Sequence, residues 1–482
     1  MKTILFLHRE ELTYMYVGMT KRLCNMFHII HVAYSDKEEN ILRAEGINHH
    51  IINFKAYVNQ VADDEKINNQ LLEEIDQFFI SNTQGRFTLN GSIQSDRGFA
   101  LLTYEQALIL SQVYYKFWIN IFEKNTIHYV IHEPPSLIFN HICAVMCLQN
   151  GGRYIYQIMV SGENNDYTYI NITDDIFHSI EIDSVYADYT SNSKIIDIDR
   201  CQAFLQSFRS QFSVFLGNMI SSRHSYFRLK IRDLKDSVIA LKNKSILHPL
   251  KDNIEYWLLR QRLNQKRIRN LRAYGKYVTF EQIPPLEKYY YYSLHLEPEA
   301  VVLYLADGIY KNQVKLIENI AAQLPAGIYL YVKDHPHEYG YRSVEDYIRL
   351  QEIPNIRLLH QSIPGKQVIK NAIGVFTING TAGLEALLLN KQVYTFGQTF
   401  YSVCKRVNYI RNIKDLREIL YKNQAVVYND DDELYAFVNA YLDASKKGVV
   451  DFFCNRAGKY DIDMNENIDR ISDDFVKFAA LY

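Results

Sequence analysis

The sequence predicts an α/β protein made of two open, parallel-sheet units in tandem. Three observations lead there. Short runs rich in β-branched and aromatic residues alternate with longer segments of helical periodicity, the pattern of strand–helix–strand crossovers whose sheet is covered on both faces. The alternation stops in a basic stretch and restarts just after Pro284-Pro285. At 482 residues the chain is also too long for one ordinary core, so two or three domains are expected.

In order along the chain, "KTILFL" reads as the opening strand and "FHIIHVAY" as the second. "YEQALILSQVYYKFWINIFEKN" carries apolar residues at helical spacing. "IHYVIHE" is strand-like, "SLIFNHICAVMCLQN" helical and "GGRYIYQIMV" a strand again. This N-terminal unit is expected to span 1–222. From Arg223 to Lys276, fifteen Lys and Arg stand against four acids, with Tyr226, Phe227, Tyr256 and Trp257 interleaved. A basic helical connector is therefore expected over 223–285, and its 223–276 part would suit an anionic membrane surface. The second unit, 286–450, repeats the alternation. Its strands are "KYYYYSLHL", "GIYLYVKD", "NIRLLH", "IGVFTI" and "KQVYTFG"; its helices are "NQVKLIENIAAQL", "VEDYIRLQE", "GKQVIKNA" and "TAGLEALLLN". A helical tail over 451–482 is expected to pack back on the N-terminal unit.

The formal net charge of −2 gives no reason to expect a nucleic-acid partner. The apolar run before His8 is too short for a signal-peptide core, and no run approaches the roughly 20 apolar residues of a spanning helix. A cytoplasmic location, at most peripheral on the inner face of the plasma membrane, is expected. Six scattered cysteines lack metal-finger spacing and read as reduced thiols. "HEPPS" departs from the HExxH zinc signature at Ser136, and Asp430-Asp431-Asp432 reads as a solvated loop and helix start. A GxSxG nucleophile elbow and a Walker lysine are absent. Neither a metal nor a cofactor is expected.

Ligands of open parallel sheets bind beyond the carboxyl ends of the strands. Three polar clusters of the second unit fall there. His295, Glu297 and Glu299 follow the first strand. Lys333, His335 and Pro336 follow the next, where a lysine and an imidazole suit phosphate oxygens and proline stiffens the loop. The third cluster is Asn379, Gly380, Thr381 and Gly383, at a strand-to-helix turn. Its glycines permit close approach of a ligand, and the helix start favours phosphate. Glu385, in the first turns of that helix, is a natural acceptor for two ribose hydroxyls. An ordinary tight turn remains the alternative reading of the third cluster, and a structural histidine that of His335.

The run "LHLEPEA…YVKDHPHEYGYRS…PNIRLL…TINGTAGLEALLLNKQVYTFGQTFY", roughly Tyr290 to Tyr401, resembles the capsule polysaccharide biosynthesis family, which includes Kdo transferases acting on lipid-linked acceptors. The resemblance implies the GT-B architecture, two facing Rossmann-like domains with a cleft between them and the nucleotide on the C-terminal one. His335-Pro336 is similar to the pair by which bacterial sialyltransferases hold CMP. The implied activity is transfer of a sugar, Kdo or another 2-keto sugar acid, from a CMP-activated donor to a surface glycan or glycolipid. His295, Glu297 and Glu299 would then line the cleft or the donor sugar. Glycosyl transfer needs a group facing the acceptor. Glu133, at the end of "IHYVIHE", is the first choice and His132 the second, with His8, Arg9 and Glu10 on the acceptor side. The competing functions are a nucleotide-sugar epimerase or hydrolase on the same fold, and a non-catalytic component of polysaccharide assembly or export.

Overall fold

The computed structural model describes residues 1–62, 64–99, 102–163, 166–173, 177–210, 265–281, 283, 287–297, 300–304, 306, 308–335, 338–423, 431–450, 460 and 462–482. Its N-terminal sheet contains β1 (Thr3–His8), β2 (His28–Ala33), β3 (Ile51–Asn53), β4 (Tyr129–Ile131), β5 (Arg153–Ser161), β6 (Tyr167–Ile172) and β13 (Lys446–Lys447). Their spatial order is β3-β2-β1-β4-β5-β6-β13. The first five are parallel, with Leu5 of β1 opposite Ile30 and Val130. All six side chains of β1 are buried, because helices cover both faces. Leu5 and Leu7 join the core under helices Tyr104–Lys124 and Ile138–Gln149, while Ile4 and Phe6 face helices Leu12–Leu23 and Met464–Leu481.

The second sheet contains β7 (Tyr289–Ser293), β8 (Tyr329–Lys333), β9 (Ile356–Leu359), β10 (Gly374–Thr377), β11 (Gln392–Thr395) and β12 (Val407–Tyr409). Its order is β9-β8-β7-β10-β11-β12, and every pairing is parallel. This is the doubly wound order, with a switch point between β7 and β10. The matching point in the first sheet lies between β1 and β4. The four tyrosines of β7 are almost wholly buried, two to each face. Tyr289 stacks on Tyr331 at 4.3 Å. Its hydroxyl donates to the Val368 carbonyl at 2.7 Å, so the ring is buried without an orphaned polar tip.

Three features depart from the expected layout. β6 runs antiparallel to β5, which makes this edge of the first sheet mixed rather than parallel. The chain re-enters the first sheet at Lys446, opposite Tyr169, ahead of the boundary expected at 450. Helix Asp432–Ala444 packs on helices Ile180–Thr190 and Ile198–Ser210 of the first unit. Helix Met464–Leu481 lies against Leu12–Leu23 so closely that a side chain at Gly18 would put its Cβ 2.6 Å from Ile468 Cδ1. Most of the expected basic connector, and Pro284-Pro285, lie outside the described residues; a helix over 265–277 remains. Among the described residues no helix is long and apolar enough to cross a membrane.

Segments that follow the carboxyl ends of the two sheets meet. Tyr304, downstream of β7, donates its hydroxyl to the Ser92 carbonyl at 3.4 Å. Asp96, beside Ser92 and Ser95, accepts at 2.7 Å from the N–H of Ile138, downstream of β4. The two sheets thus present their carboxyl edges to a shared cleft, the GT-B arrangement.

Candidate functional site

The chain leaves β7 at Ser293 and turns at His295, which is buried. Gln313 holds this turn: it accepts from the His295 N–H at 2.8 Å and donates to its carbonyl at 3.1 Å. The imidazole reaches across the switch point to β10, where Nε2 accepts from the Ile378 N–H at 3.1 Å and lies 3.2 Å from Thr377 Oγ1. An acceptor Nε2 means a neutral ring, and burial pushes its pKa down to about 3, with His335 and Arg342 adding to the effect. His295 therefore fastens the two strand ends together rather than meeting a donor sugar. Glu297 is drawn into the same framework by Arg342 at 3.3 Å and by the Gln313 amide. Glu299 and Pro336 lie outside the described residues.

Lys333 is the last residue of β8 and is buried. Among the described residues its ammonium has no ion pair. Burial lowers its pKa, opposed by Asp334 and Glu385 at longer range. A buried, unpaired cation at a strand mouth is a ready anion receptor. The next residue, Asp334, turns the other way. It accepts from Arg342 Nε at 2.9 Å and from the Tyr347 hydroxyl, all within the buried layer. That pairing folds the 334–342 loop and sets His335, half-buried, at its start. The His335 N–H donates to Asp334 Oδ1 at 2.8 Å, and its carbonyl accepts from the Glu338 N–H at 2.9 Å.

Beyond β10, the Gly380 N–H donates to Thr377 Oγ1 at 3.1 Å, and the Gly380 carbonyl accepts from the Tyr401 hydroxyl at 2.6 Å. A Cβ at Gly380 would stand 2.5 Å from His295 Cε1, so this turn has room only for glycine. Helix Thr381–Leu388 starts here with no side-chain cap, leaving its first N–H groups at the sheet mouth. Thr381 is exposed and Asn379 and Glu385 are half-buried. Burial raises the Glu385 pKa, opposed by Lys366 and Lys333. Lys366, at the start of helix Gly365–Asn371, donates to the Phe208 carbonyl at 3.1 Å, and its Nζ sits 3.5 Å from the centroid of the Phe208 ring. The structure thus brings Lys333, His335, Asn379, Gly380, Thr381, Gly383 and Glu385 to one edge of one sheet. Sequence reasoning missed Lys366, Arg342 and Tyr401. The lysine had a signal, a basic residue opening a helix just after a strand; the other two had none.

On the opposite side of the cleft, Arg9 and Glu133 form an ion pair across the β1/β4 switch point. Glu133 also receives the Ser136 hydroxyl at 3.4 Å, and its carbonyl accepts from Tyr154 at 2.8 Å. His132 Nδ1 donates to the Leu7 carbonyl at 2.8 Å, which leaves Nε2 unprotonated, 3.7 Å from Glu133 Oε1. Burial pushes this imidazole down to about 4, with Glu133 opposing. His8 is fully buried and hydrogen-bonded to His31 at 2.9 Å, behind the cleft wall rather than on it. Glu10 adopts φ +46 and donates its N–H to Glu38 at 2.8 Å. Of the expected acceptor-side residues, Arg9 stands with Glu133 and His132, whereas the His8 side chain belongs to the core. No group of three or more potential metal ligands occurs among the described residues.

Residues 242–419 match the model of a family described as capsule polysaccharide biosynthesis protein. The match covers less than half of the chain and falls mostly on the C-terminal unit. The chain is 32% identical to the capsule polysaccharide export protein KpsS of Escherichia coli over 98 residues, 20% of this chain and 25% of that protein. It is 36% identical to protein FixF of Sinorhizobium fredii over 92 residues, 19% of this chain and 21% of that protein. It thus spans a quarter or less of the length of these curated relatives. Among solved structures, the β-Kdo 2,4-transferase KpsC of Thermosulfurimonas dismutans aligns at 12% identity with a TM-score of 0.31, covering 67% of this chain and 82% of that one. Anabaena HepE in complex with UDP-glucose aligns at 11% identity with a TM-score of 0.29, covering all of both chains.

Proposed function

We propose that this protein is a glycosyltransferase that takes a sugar, Kdo or another 2-keto sugar acid, from a CMP-activated donor and places it on a surface-glycan or glycolipid acceptor. The observation that carries this reading is the charge order at the second sheet's mouth: Lys333 and Lys366 both act electrostatically on Glu385, beside a glycine turn that opens a helix. A nucleoside monophosphate matches that order. Its phosphate meets Lys333, His335 and the free N–H groups after Gly380, and its ribose hydroxyls meet Glu385. The leaving group of a CMP-sugar is CMP itself, so these contacts strengthen as negative charge develops on the departing phosphate.

On the facing side, Glu133 receives the acceptor hydroxyl. Its pairing with Arg9 holds it in place. The unprotonated Nε2 of His132, with its tautomer fixed by the Leu7 carbonyl, is the second group able to accept that proton.

The test is a thermal-shift and calorimetric screen of CMP, CDP, UDP and GDP. A ligand at 100 times its dissociation constant stabilises by about 2.7 kcal/mol. CMP should give the largest shift, and His335→Ala should weaken it by about tenfold or more, the value of a charge-assisted bond to phosphate. A preference for UDP would transfer the reading to a nucleotide-sugar epimerase. Unchanged CMP affinity in folded His335→Ala protein would reject the site.

A further inference from the structure

The carboxyl edge of the first sheet carries two tyrosines whose hydroxyls take no part in the fold. Tyr34 follows β2, and its N–H donates to the His8 carbonyl at 3.1 Å, which sets it beside Arg9. Tyr114 lies on helix Tyr104–Lys124. Both rings pack on one buried aromatic stack, Phe54 on Phe139 at 3.8 Å. Tyr34 stands 5.5 Å and 5.9 Å from those two rings, and Tyr114 5.1 Å and 5.8 Å. Both tyrosines are half-buried, and among the described residues neither hydroxyl has a hydrogen-bond partner. Elsewhere the protein uses its tyrosines differently. Tyr154, Tyr289, Tyr304 and Tyr401 each give the hydroxyl to a backbone carbonyl. Phenylalanine would pack equally well at 34 and 114, so these two hydroxyls are left for a ligand.

Their surroundings select its chemistry. Tyr34 lies within electrostatic reach of Arg9, Asp96, Glu38 and Glu133, and Tyr114 within reach of Tyr34 and Asp96. The two phenols therefore converge on Asp96 and the Arg9–Glu133 pair. No cation is open to an anion here: Arg9 is ion-paired to Glu133 and has Glu10 beside it. Asp96 is occupied by the N–H groups of Gly98 at 2.6 Å and Ile138 at 2.7 Å. Glu38 accepts from the N–H groups of Glu10 and Ser35. Even with Arg97 near Asp96, carboxylates outnumber guanidiniums. The facing mouth has the opposite character, with Lys333 and Lys366.

We propose that Tyr34 and Tyr114 bind the sugar that receives the transfer, and that this sugar is uncharged. A sugar hydroxyl both donates and accepts, as a phenol does, so neighbouring hydroxyls of one ring can bond to both tyrosines. Rings already fixed by packing lose little freedom on binding. A further hydroxyl of the same sugar then falls to Glu133. The role rests on the transfer reading, but the binding is measured with neither donor nor turnover.

The experiment is saturation-transfer NMR of the full chain with the methyl glycosides of glucose, galactose, mannose and N-acetylglucosamine. Methyl glucuronide and glucose 6-phosphate are the charged counterparts. At least one neutral glycoside should bind, and the charged sugars should bind more weakly. Tyr34→Phe and Tyr114→Phe should each weaken the neutral ligand by about three- to tenfold, the contribution of one neutral hydrogen bond. Thermal unfolding and CMP affinity should be unchanged in both variants, since neither hydroxyl bonds to the fold. Binding of none of the neutral glycosides, tighter binding of the charged sugars, or variants that bind as the wild type does would each overturn the proposal. A wild type that binds a glycoside in this way and no CMP would defeat the donor reading and leave this one standing.

Discussion

Replacing Glu338 by Gln should flatten the pH dependence of stability between about pH 4.5 and pH 7. Glu338 sits in the loop after β8 and is only 7% exposed. The charged groups around it are Arg342, Asp334 and Glu297. Burial raises its carboxyl from 4.5 to about 7; Arg342 and a hydrogen bond from the Glu297 backbone oppose this, and the two neighbouring carboxylates reinforce it. A folded pKa above the unfolded one means that the native state holds the proton more tightly. The associated stability is therefore fully present below about pH 4.5 and is lost as pH rises through about 7. At about 1.4 kcal/mol per pH unit the ceiling is about 3 kcal/mol. Solvent at the loop's rim reduces it to roughly 1.5–3 kcal/mol. Urea unfolding of wild type and Glu338→Gln, at steps from about pH 5 to about pH 8, measures the difference directly. The wild type should lose that amount relative to the variant across the series. Parallel stability curves would refute the reasoning, because a buried carboxylate beside Asp334 and Glu297 would then cost nothing to ionise.

Gly383→Ala would drive its Cβ into the Tyr401 hydroxyl and to 2.9 Å from Tyr401 Cζ. It should cost about 1–3 kcal/mol in urea unfolding and weaken CMP in calorimetry, since the Tyr401 bond to Gly380 shapes the turn. Glu385→Gln removes the carboxyl on which Lys333 and Lys366 both act. Wild type should prefer CMP over 2′-deoxy-CMP by about tenfold or more, and the variant should lose that preference in the same titration. Glu133→Gln should lower transfer from a CMP-sugar to a glycolipid by about 10²–10⁴ while CMP affinity persists. Near-normal turnover would pass the role to His132.

The strands were readable because each is a short aromatic or β-branched run with turn residues at both ends. Tyr289–Tyr292 show this most clearly, since a fully covered strand has no polar face to interrupt it. The glycine turn at Gly380–Gly383 was equally legible, because backbone proximity restricts residue type locally. Pairings across the fold were not. Nothing near Arg342 in the sequence marks it as the partner of Asp334. Arg9 and Glu133 are adjacent strand ends in space and far apart in the chain, so only the sheet order joins them. His295 was misread for a related reason. A histidine after a strand looks the same whether it meets a ligand or an N–H of the neighbouring strand. β13 was invisible because two lysines pair with β6 through their backbones alone.

The return of the chain to its first sheet has a consequence for how the protein is made. When β1 to β6 have left the ribosome, the face carrying Ile4, Phe6, Tyr129 and Ile131 still lacks part of its cover, which includes Ile468, Ile471, Phe475 and Phe478. Those residues emerge only after the entire second sheet has been synthesised. The N-terminal unit therefore spends most of translation with an apolar surface and the free edge of β6 available to other nascent chains. Its last contacts span almost the whole sequence and form slowly. A ribosome-bound fragment stopped before Lys446 should bind chaperones and resist compaction, although every residue of its six strands is already present.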